Sequence, residues 1–401
     1  MHFIFRRLIS YGLFIGFLLS VGVSSLVAQE SKPVLIGLDG EFGHVSSTSA
    51  EAIRQGIQIA IDEINLSGGV LHGRPLKLVE KANQSLPARS FKNIEEFAAL
   101  PDLVAVYCGR FSPTVLETLP LIHKLRIPLL DPWAAADEII DNHYQPSYVF
   151  RLSLKDSWAA DVMLSYLEQR NLKRIGLLML NTSWGRSTKR AAENYANQKP
   201  DISIVATQWI NWDDKEDSML AKYKQLRTAG AQAILLTANA EEGAILSKVM
   251  LGLPESEQVP IASHWGVTGG HLPELVGEDF YKLDFRVVQT YSFIGQESLV
   301  AMKVISAYNK KVGGEDARSI ISPVGVAHAY DLTHILALAI DLAGSTNRDA
   351  IRDALEKIPA YSGLIKQYLP PFTKERHEAL SESEVFMAKY APLDGALERQ
   401  P

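Results

Sequence analysis

Residues able to do chemistry are scattered along this 401-residue chain, and no spacing gathers them into a reactive centre. There is no G-x-S-x-G elbow, no G-x-x-x-x-G-K-S/T loop and no G-x-G-x-x-G after a strand. The glycines at 68, 69 and 73 have the wrong order for a dinucleotide loop and follow a helical pattern. None of the ten histidines stands in an H-E-x-x-H pair. His264 and His271 fall in a glycine-rich loop, and His328 and His334 on a helical pattern as packing or surface residues. Cys108 is the single cysteine and lies in an apolar run, so it reads as a small buried hydrophobe and no internal disulfide can form. The acidic run DDKED at 213–217 reads as a solvated loop opening a helix. No nucleophile, base and orienting group come together, so neither catalysis nor a metal or cofactor is expected.

What the sequence offers instead is a set of binding groups on loops that follow strands. These are Glu41 and Phe42, Ser112, the turn Trp133-Ala134-Ala135, Trp184, the stretch Asn239 to Glu242, and His264 with Trp265. Ser112 followed by Pro113 reads as a helix cap and first turn, because proline lacks only an N–H that would be unpaired there. A helix beginning at the carboxyl end of a parallel strand aims free amides at whatever lies above the sheet, where open α/β sheets bind ligands. The same pattern also fits an ordinary βαβ unit with no ligand.

The elements that must hold these groups alternate. Strands are expected at 33–38, 76–79, 104–108, 127–130, 174–180, 203–206, 233–236, 259–262 and 285–289, with a last one at 385–390. Helices with apolar stripes separate them, among them one carrying Ala52, Ile53, Gly56, Ile57, Ala60, Ile61 and Ile64, and a long apolar one at 326–342. Thr48 and Glu51 have capping-box spacing before the first helix. Strands and helices alternating at this pitch predict parallel sheets, and the length predicts two domains. Ahead of them, Arg6 and Arg7 precede an uncharged apolar run ending near Ala28, the pattern of a secretory signal peptide cleaved after Ala28. The formal charge of −6 becomes about −8 without those arginines, a mild acidity that argues for solubility and against nucleic acid.

Taken in order, GLDGEFG, IAIDEINLSGGVLHGRPLKLV, GRFSP, RIPLL, VFRLSLKDSWAADVMLSYL, RIGLLMLNTSWGRS, AGAQAILLTANAEEGAIL and AHAYDLTHILALAIDLAG resemble type I periplasmic binding proteins. The branch is the one serving branched-chain amino acid and amide uptake by ABC transporters. The resemblance implies two doubly wound α/β lobes joined by crossover segments, with lobe I at 33–152 and 290–355 and lobe II at 153–289 and 356–398. It implies a monomer in the periplasm that captures a small molecule between the lobes and hands it to an ABC permease in the inner membrane. A sensor of the same fold is the alternative, and an enzyme is less expected.

By the same resemblance, Ser112 and Thr114 stand where hydroxyls meet the ligand's carboxylate and ammonium. Trp133 to Ala136 aligns with a small-residue turn in which Ala135 replaces a threonine. Trp184 takes the place of an aromatic, and Asn239 falls near another. Trp265 falls where amino acid binders carry an acidic residue. Losing that carboxylate leaves a buried ammonium unpaired, at several kcal/mol. The indoles suggest instead a flat or apolar ligand, or a cation on aromatic faces at ~0.5–2 kcal/mol per contact. Packing between helices is the alternative for these tryptophans and for Phe42. Arg151, in a Phe-Arg pair, reads as structural and near a crossover.

Overall fold

The computed structural model describes residues 32–43 and 47–400; the signal-peptide expectation lies outside them. The first half runs β1 (Val34–Gly40), α1 (Ser49–Leu66), β2 (Leu76–Ala82), α2 (Pro87–Ala98), β3 (Leu103–Cys108), α3 (Ser112–Leu125), β4 (Leu129–Asp131) and β5 (Val149–Arg151). Its five strands are all parallel, in the order β2-β1-β3-β4-β5.

The pattern then restarts. It continues as α4 (Asp156–Gln169), β6 (Arg174–Leu180), α5 (Ser183–Gln198), β7 (Ser203–Ile210), α6 (Glu216–Thr228), β8 (Ala233–Thr237), α7 (Ala240–Leu251), β9 (Ile261–Ser263), α8 (Leu272–Val276) and β10 (Phe285–Gln289). These strands order as β7-β6-β8-β9-β10, the same winding as the first sheet. Each sheet therefore has a switch point, between β1 and β3 and between β6 and β8, where loops diverge and leave a crevice.

The rest of the chain returns to both lobes: α9 (Leu299–Val312), α10 (Pro323–Ala343), α11 (Arg348–Leu355), β11 (Tyr361–Ser362), β12 (Gln367–Tyr368), β13 (Phe386–Tyr390) and β14 (Leu397–Arg399). α10 packs along α1 and against α11. It is long and apolar enough to cross a membrane, yet its window is 89% buried in the protein. The contact with α1 is close because Gly56 has no side chain: a Cβ there would sit 2.3 Å from the Val326 carbonyl oxygen. β13 joins the second sheet antiparallel to β10, and β14 pairs antiparallel with β13 at its edge, so that sheet is mixed rather than wholly parallel.

Arg151 locks the crossover as a structural residue. Its fully buried guanidinium donates to Glu378 from Nε at 2.9 Å and from Nη2 at 2.5 Å, and to the Ala134 and Ala136 carbonyls from Nη1. One residue thus ties β5, the turn after β4 and the returning C-terminal segment.

Three local expectations are corrected. Thr48 and Glu51 form no capping box: Thr48 Oγ1 pairs with Ser322 Oγ at 2.6 Å, and Glu51 is taken up by Arg54 and Gln55. The helix of Ser112 is preceded by Phe111, and the serine hydroxyl serves another loop. Trp184 and Gly185 lie in the first turn of α5 rather than in a turn before it, because Thr182 caps that helix by accepting from the Gly185 amide at 3.3 Å.

Candidate functional site

Six strand ends converge between the lobes: β1, β3 and β4 from the first, β6, β8 and β9 from the second, with α10 beginning at the seam. The turn after β4 is built from short polar side chains. Asp131 Oδ1 accepts from the Trp133 amide at 3.0 Å and the Ala134 amide at 2.7 Å. Cys108 Sγ donates to the same oxygen at 3.4 Å. Burial pushes the Asp131 carboxyl up to about 6, against the pull of Arg151. Ser112 Oγ accepts from the amides of Ala135 and Ala136, each at 3.2 Å. Thr114 Oγ1 donates to the Phe111 carbonyl at 2.7 Å. Both hydroxyls expected at a ligand thus bond the protein's own backbone, Ser112 with its O–H still free to donate and Thr114 with its lone pairs still free to accept, and Ala134 and Ala135 are buried beside them.

The three tryptophans expected in one crevice do meet there. Trp133 and Trp265 face each other across the lobes with ring centroids 5.6 Å apart, and both are 1% exposed. Trp184 sets its edge against His264 at 5.0 Å, and its Nε1 donates to Asp156 Oδ1 at 3.2 Å. His264 Nδ1 accepts from the Trp265 amide at 2.9 Å, which leaves Nε2 3.0 Å from the same Asp156 oxygen. Their closeness is bought with glycine: a Cβ on Gly325 would lie 2.7 Å from the Trp133 ring, and one on Gly266 2.3 Å from the Trp184 ring. His328 completes the group on the α10 side. Nδ1 donates to the Pro132 carbonyl at 2.7 Å, Thr290 lies at 2.8 Å from Nε2, and Trp265 is 5.8 Å away. Burial pushes this imidazole down to about 4. The indoles thus fill the inner cleft with a packed aromatic floor.

Glu41 is buried beside this floor. Its Oε1 accepts from Ser49 Oγ and lies 3.6 Å from Arg110 Nε, while Oε2 rests on Gly109 with no hydrogen-bond partner among the described residues. Phe42 is half-buried and packs against the core.

Open space remains at the outer mouth. A cavity of about 260 Å³ is walled on the first lobe by Gln84, Ser85, Leu86, Arg110 and Phe111. On the second lobe, Trp212, Asn239, Ala240 and Glu241 complete it. Phe111 and Trp212 meet across the gap edge to face at 5.7 Å, and Trp212 is 53% exposed. Of the ten residues singled out as ligand contacts, only Asn239 lines this cavity, with Ala240 and Glu241 from the same expected loop beside it; the Asn239 amide donates to Glu242 Oε2 at 3.1 Å as α7 begins. Arg110, Phe111 and Trp212 were missed. Arg110 and Phe111 sit between the strand-end glycine and Ser112. Trp212, a large aromatic ahead of an acidic run, was the one legible signal. A larger hollow of about 600 Å³ lies on the flank of α4 and β14, away from the strand ends.

Above the cavity the lobes are joined directly. Arg110 Nη1 donates to the Gly269 carbonyl at 2.8 Å, and the Thr48 amide donates to the same oxygen at 2.9 Å. Ser322 Oγ donates to the Thr268 carbonyl at 2.7 Å, and the Asp137 amide to Ser187 Oγ at 3.3 Å. Among the described residues no group of three or more His, Cys, Asp or Glu could hold a metal.

The periplasmic binding protein family profile matches residues 33–389. The chain belongs to that family. Among solved structures, this periplasmic binding protein is similar to a type 1 periplasmic binding protein from Bordetella pertussis Tohama I. The two are 23% identical over 92% of this chain and 100% of that one, with a TM-score of 0.82. It is similar as well to the branched-chain amino acid transporter substrate binding protein LivJ from Streptococcus pneumoniae, solved in complex with isoleucine. There the values are 21% identity, 92% and 98% coverage, and a TM-score of 0.75. An ABC transporter solute binding protein from R. palustris, solved with 4-hydroxybenzoate, matches at 15% identity over 92% and 96%, with a TM-score of 0.73. No curated protein matches the chain. As a member of this family, the periplasmic binding protein holds solutes and is not an enzyme.

Proposed function

We propose that this protein captures a small amphipathic organic molecule at the outer mouth of the cleft, closes its lobes over it and delivers it to an ABC permease in the inner membrane. The observation carrying this reading is the cavity whose walls come from the strand ends of both lobes at once. A ligand there touches both lobes only when they meet, so closure is favoured by the contacts that the open form lacks. Arg110, Phe111, Trp212 and Asn239 make those contacts. Trp133, Trp184 and Trp265 form the floor, Ser112 fixes the turn that carries Trp133 through the Ala135 and Ala136 amides, and Glu41, Phe42, Thr114, Ala134 and Ala135 belong to the first-lobe loops and the α3 start around it. The floor occupies the depth at which an amino acid's charged end would be gripped. This accounts for a ligand other than a standard branched-chain amino acid. The R. palustris relative, solved with 4-hydroxybenzoate, is in keeping with a flat ligand in this fold.

The lobes divide at 33–152 with 290–355 and at 153–289 with 356–398, and the protein acts as a periplasmic monomer after cleavage near Ala28. Mass spectrometry of what co-purifies, followed by thermal unfolding with that compound, tests the reading. At a hundred times the Kd, mass action adds about 2.7 kcal/mol to stability. A Trp212→Ala variant should lose that gain while melting as wild type without ligand. An equal gain in the variant would place the site elsewhere.

A further inference from the structure

The first-lobe lip of the cavity is held in a strained backbone. Gln84 and Ser85 both line the cavity, and both are left-handed, with φ of 51° and 60°. Residues other than glycine keep that conformation only where their surroundings impose it, and such places cluster at ligand clamps. Another adjacent pair of this kind, Leu71 and His72, closes the tight turn between Val70 and Arg74, which accounts for it. At 84 and 85 the conformation is imposed by Asn83. Its Oδ1 accepts from the Ser85 amide at 2.8 Å, and its carbonyl accepts from the Leu86 amide at 2.9 Å. Asn83 is buried and pinned in turn: Nδ2 donates to Asp39 Oδ2 at 2.9 Å, and the same carboxylate accepts from Ser90 Oγ at 2.5 Å and Asn93 Nδ2 at 2.7 Å. A rigid corner thus presents an exposed amide and a half-buried hydroxyl to the cavity. The charged groups in the wall are answered within the protein. Arg110 stands 3.6 Å from the buried Glu41 carboxylate and donates to the Gly269 carbonyl. Glu241 is engaged with a partner and stands in the first turn of α7, whose positive end it answers. An ionised group entering here exchanges water for a wall whose charges are already matched, which costs far more than burying an uncharged polar group that finds hydrogen bonds. Gln84, Ser85 and Asn239 are the uncharged groups that offer them.

Resting on the proposed capture function, we propose that Gln84 and Ser85 determine specificity by hydrogen-bonding an uncharged amide or hydroxyl on an apolar ligand body, with Asn83 as the positioning residue that holds them. The experiment is calorimetry on the exported, purified protein with five probes sharing one body: 3-phenylpropanamide, 3-phenylpropan-1-ol, 3-phenylpropanoate, 3-phenylpropylammonium and propylbenzene. The amide or the alcohol should bind at least tenfold more tightly than either ion. Gln84→Gly combined with Ser85→Gly should cut the affinity ratio of that probe to propylbenzene at least tenfold. The same variant should melt no lower than wild type, because glycine takes the left-handed backbone without strain. Asn83→Ala should cut the ratio at least threefold and leave propylbenzene within twofold, whereas a merely structural loss weakens both probes alike. An ion bound as tightly as the uncharged probes, or a ratio unmoved in the double variant, overturns the proposal. Should no probe bind, the compound released from denatured protein decides. One that is ionised at neutral pH overturns the uncharged class and leaves solute capture standing; an uncharged one that binds the double variant at least tenfold more weakly upholds it. If nothing binds and nothing co-purifies, both readings fall.

Discussion

At the scale of single residues, buried polar groups decide more than exposed ones. Arg151 is fully buried and meets Glu378 with two hydrogen bonds and two carbonyls with a third nitrogen. Glu378→Gln leaves the guanidinium without its counter-charge, so a loss of about 3–5 kcal/mol in urea unfolding is expected; a loss under about 1 kcal/mol would deny it the locking role. His328 is the acid-sensitive counterpart. Its neutral form fits between Pro132 and Thr290, and its imidazole is held down to about 4. Its contribution is thus full above the ordinary 6.5 and lost as pH falls through about 4. Asp131 and Asp331, both pushed up to about 6 by burial, act in the opposite sense, their contribution being lost as pH rises through about 6. Because the terms oppose, the informative comparison is between variants. His328→Gln should be less stable than wild type at pH 8 and should lose less between pH 6.5 and 4. Parallel pH profiles would show that His328 does not titrate as described. Of these roles the sequence carried only the structural reading of Arg151 and the reading of His328 as a packing or surface residue on a helix. Whether Ser112 faces a ligand or a neighbouring turn depends on Ala135 and Ala136 arriving from 23 and 24 residues away.

At the scale of elements, the sequence spoke more clearly. The apolar stripe of α1 is buried as spaced, and β6 and β10 fall at the residues expected, because apolar runs bounded by turn residues leave little choice. Elements without such a run escaped. β14 is three residues long, with only Leu397 buried, and shows no alternation to read. The hairpin of β11 and β12 is held by a contact distant in sequence: the Asp331 carboxylate on α10 accepts from the Leu364 amide at 2.7 Å and Tyr368 Oη at 2.8 Å. The α1–α10 contact gives a direct test. Gly56→Ala puts a methyl against the Val326 carbonyl, and a cost of about 1–3 kcal/mol is expected in denaturant unfolding. An unchanged midpoint would mean that the two helices can part without cost.

At the scale of the whole molecule, two sheets of like winding and the crevice between them follow from length, alternation and resemblance. The location of the open space does not, because it depends on side-chain volume in three dimensions. Three indoles and two histidines pack the inner cleft, and the open space, where we propose the ligand sits, lies outward at Phe111 and Trp212. On that proposal binding and closure are one event, with Arg110 reaching Gly269 across the seam. The only native cysteine is buried, so paired spin labels can be placed cleanly. With Lys92→Cys on the first lobe and Asp217→Cys on the second, pulsed dipolar spectroscopy reads the gap directly. Ligand-stripped protein should give a longer, broader distance distribution, and the co-purified compound should collapse it to a single short one. An identical distribution with and without a compound whose binding calorimetry has established would contradict capture by closure.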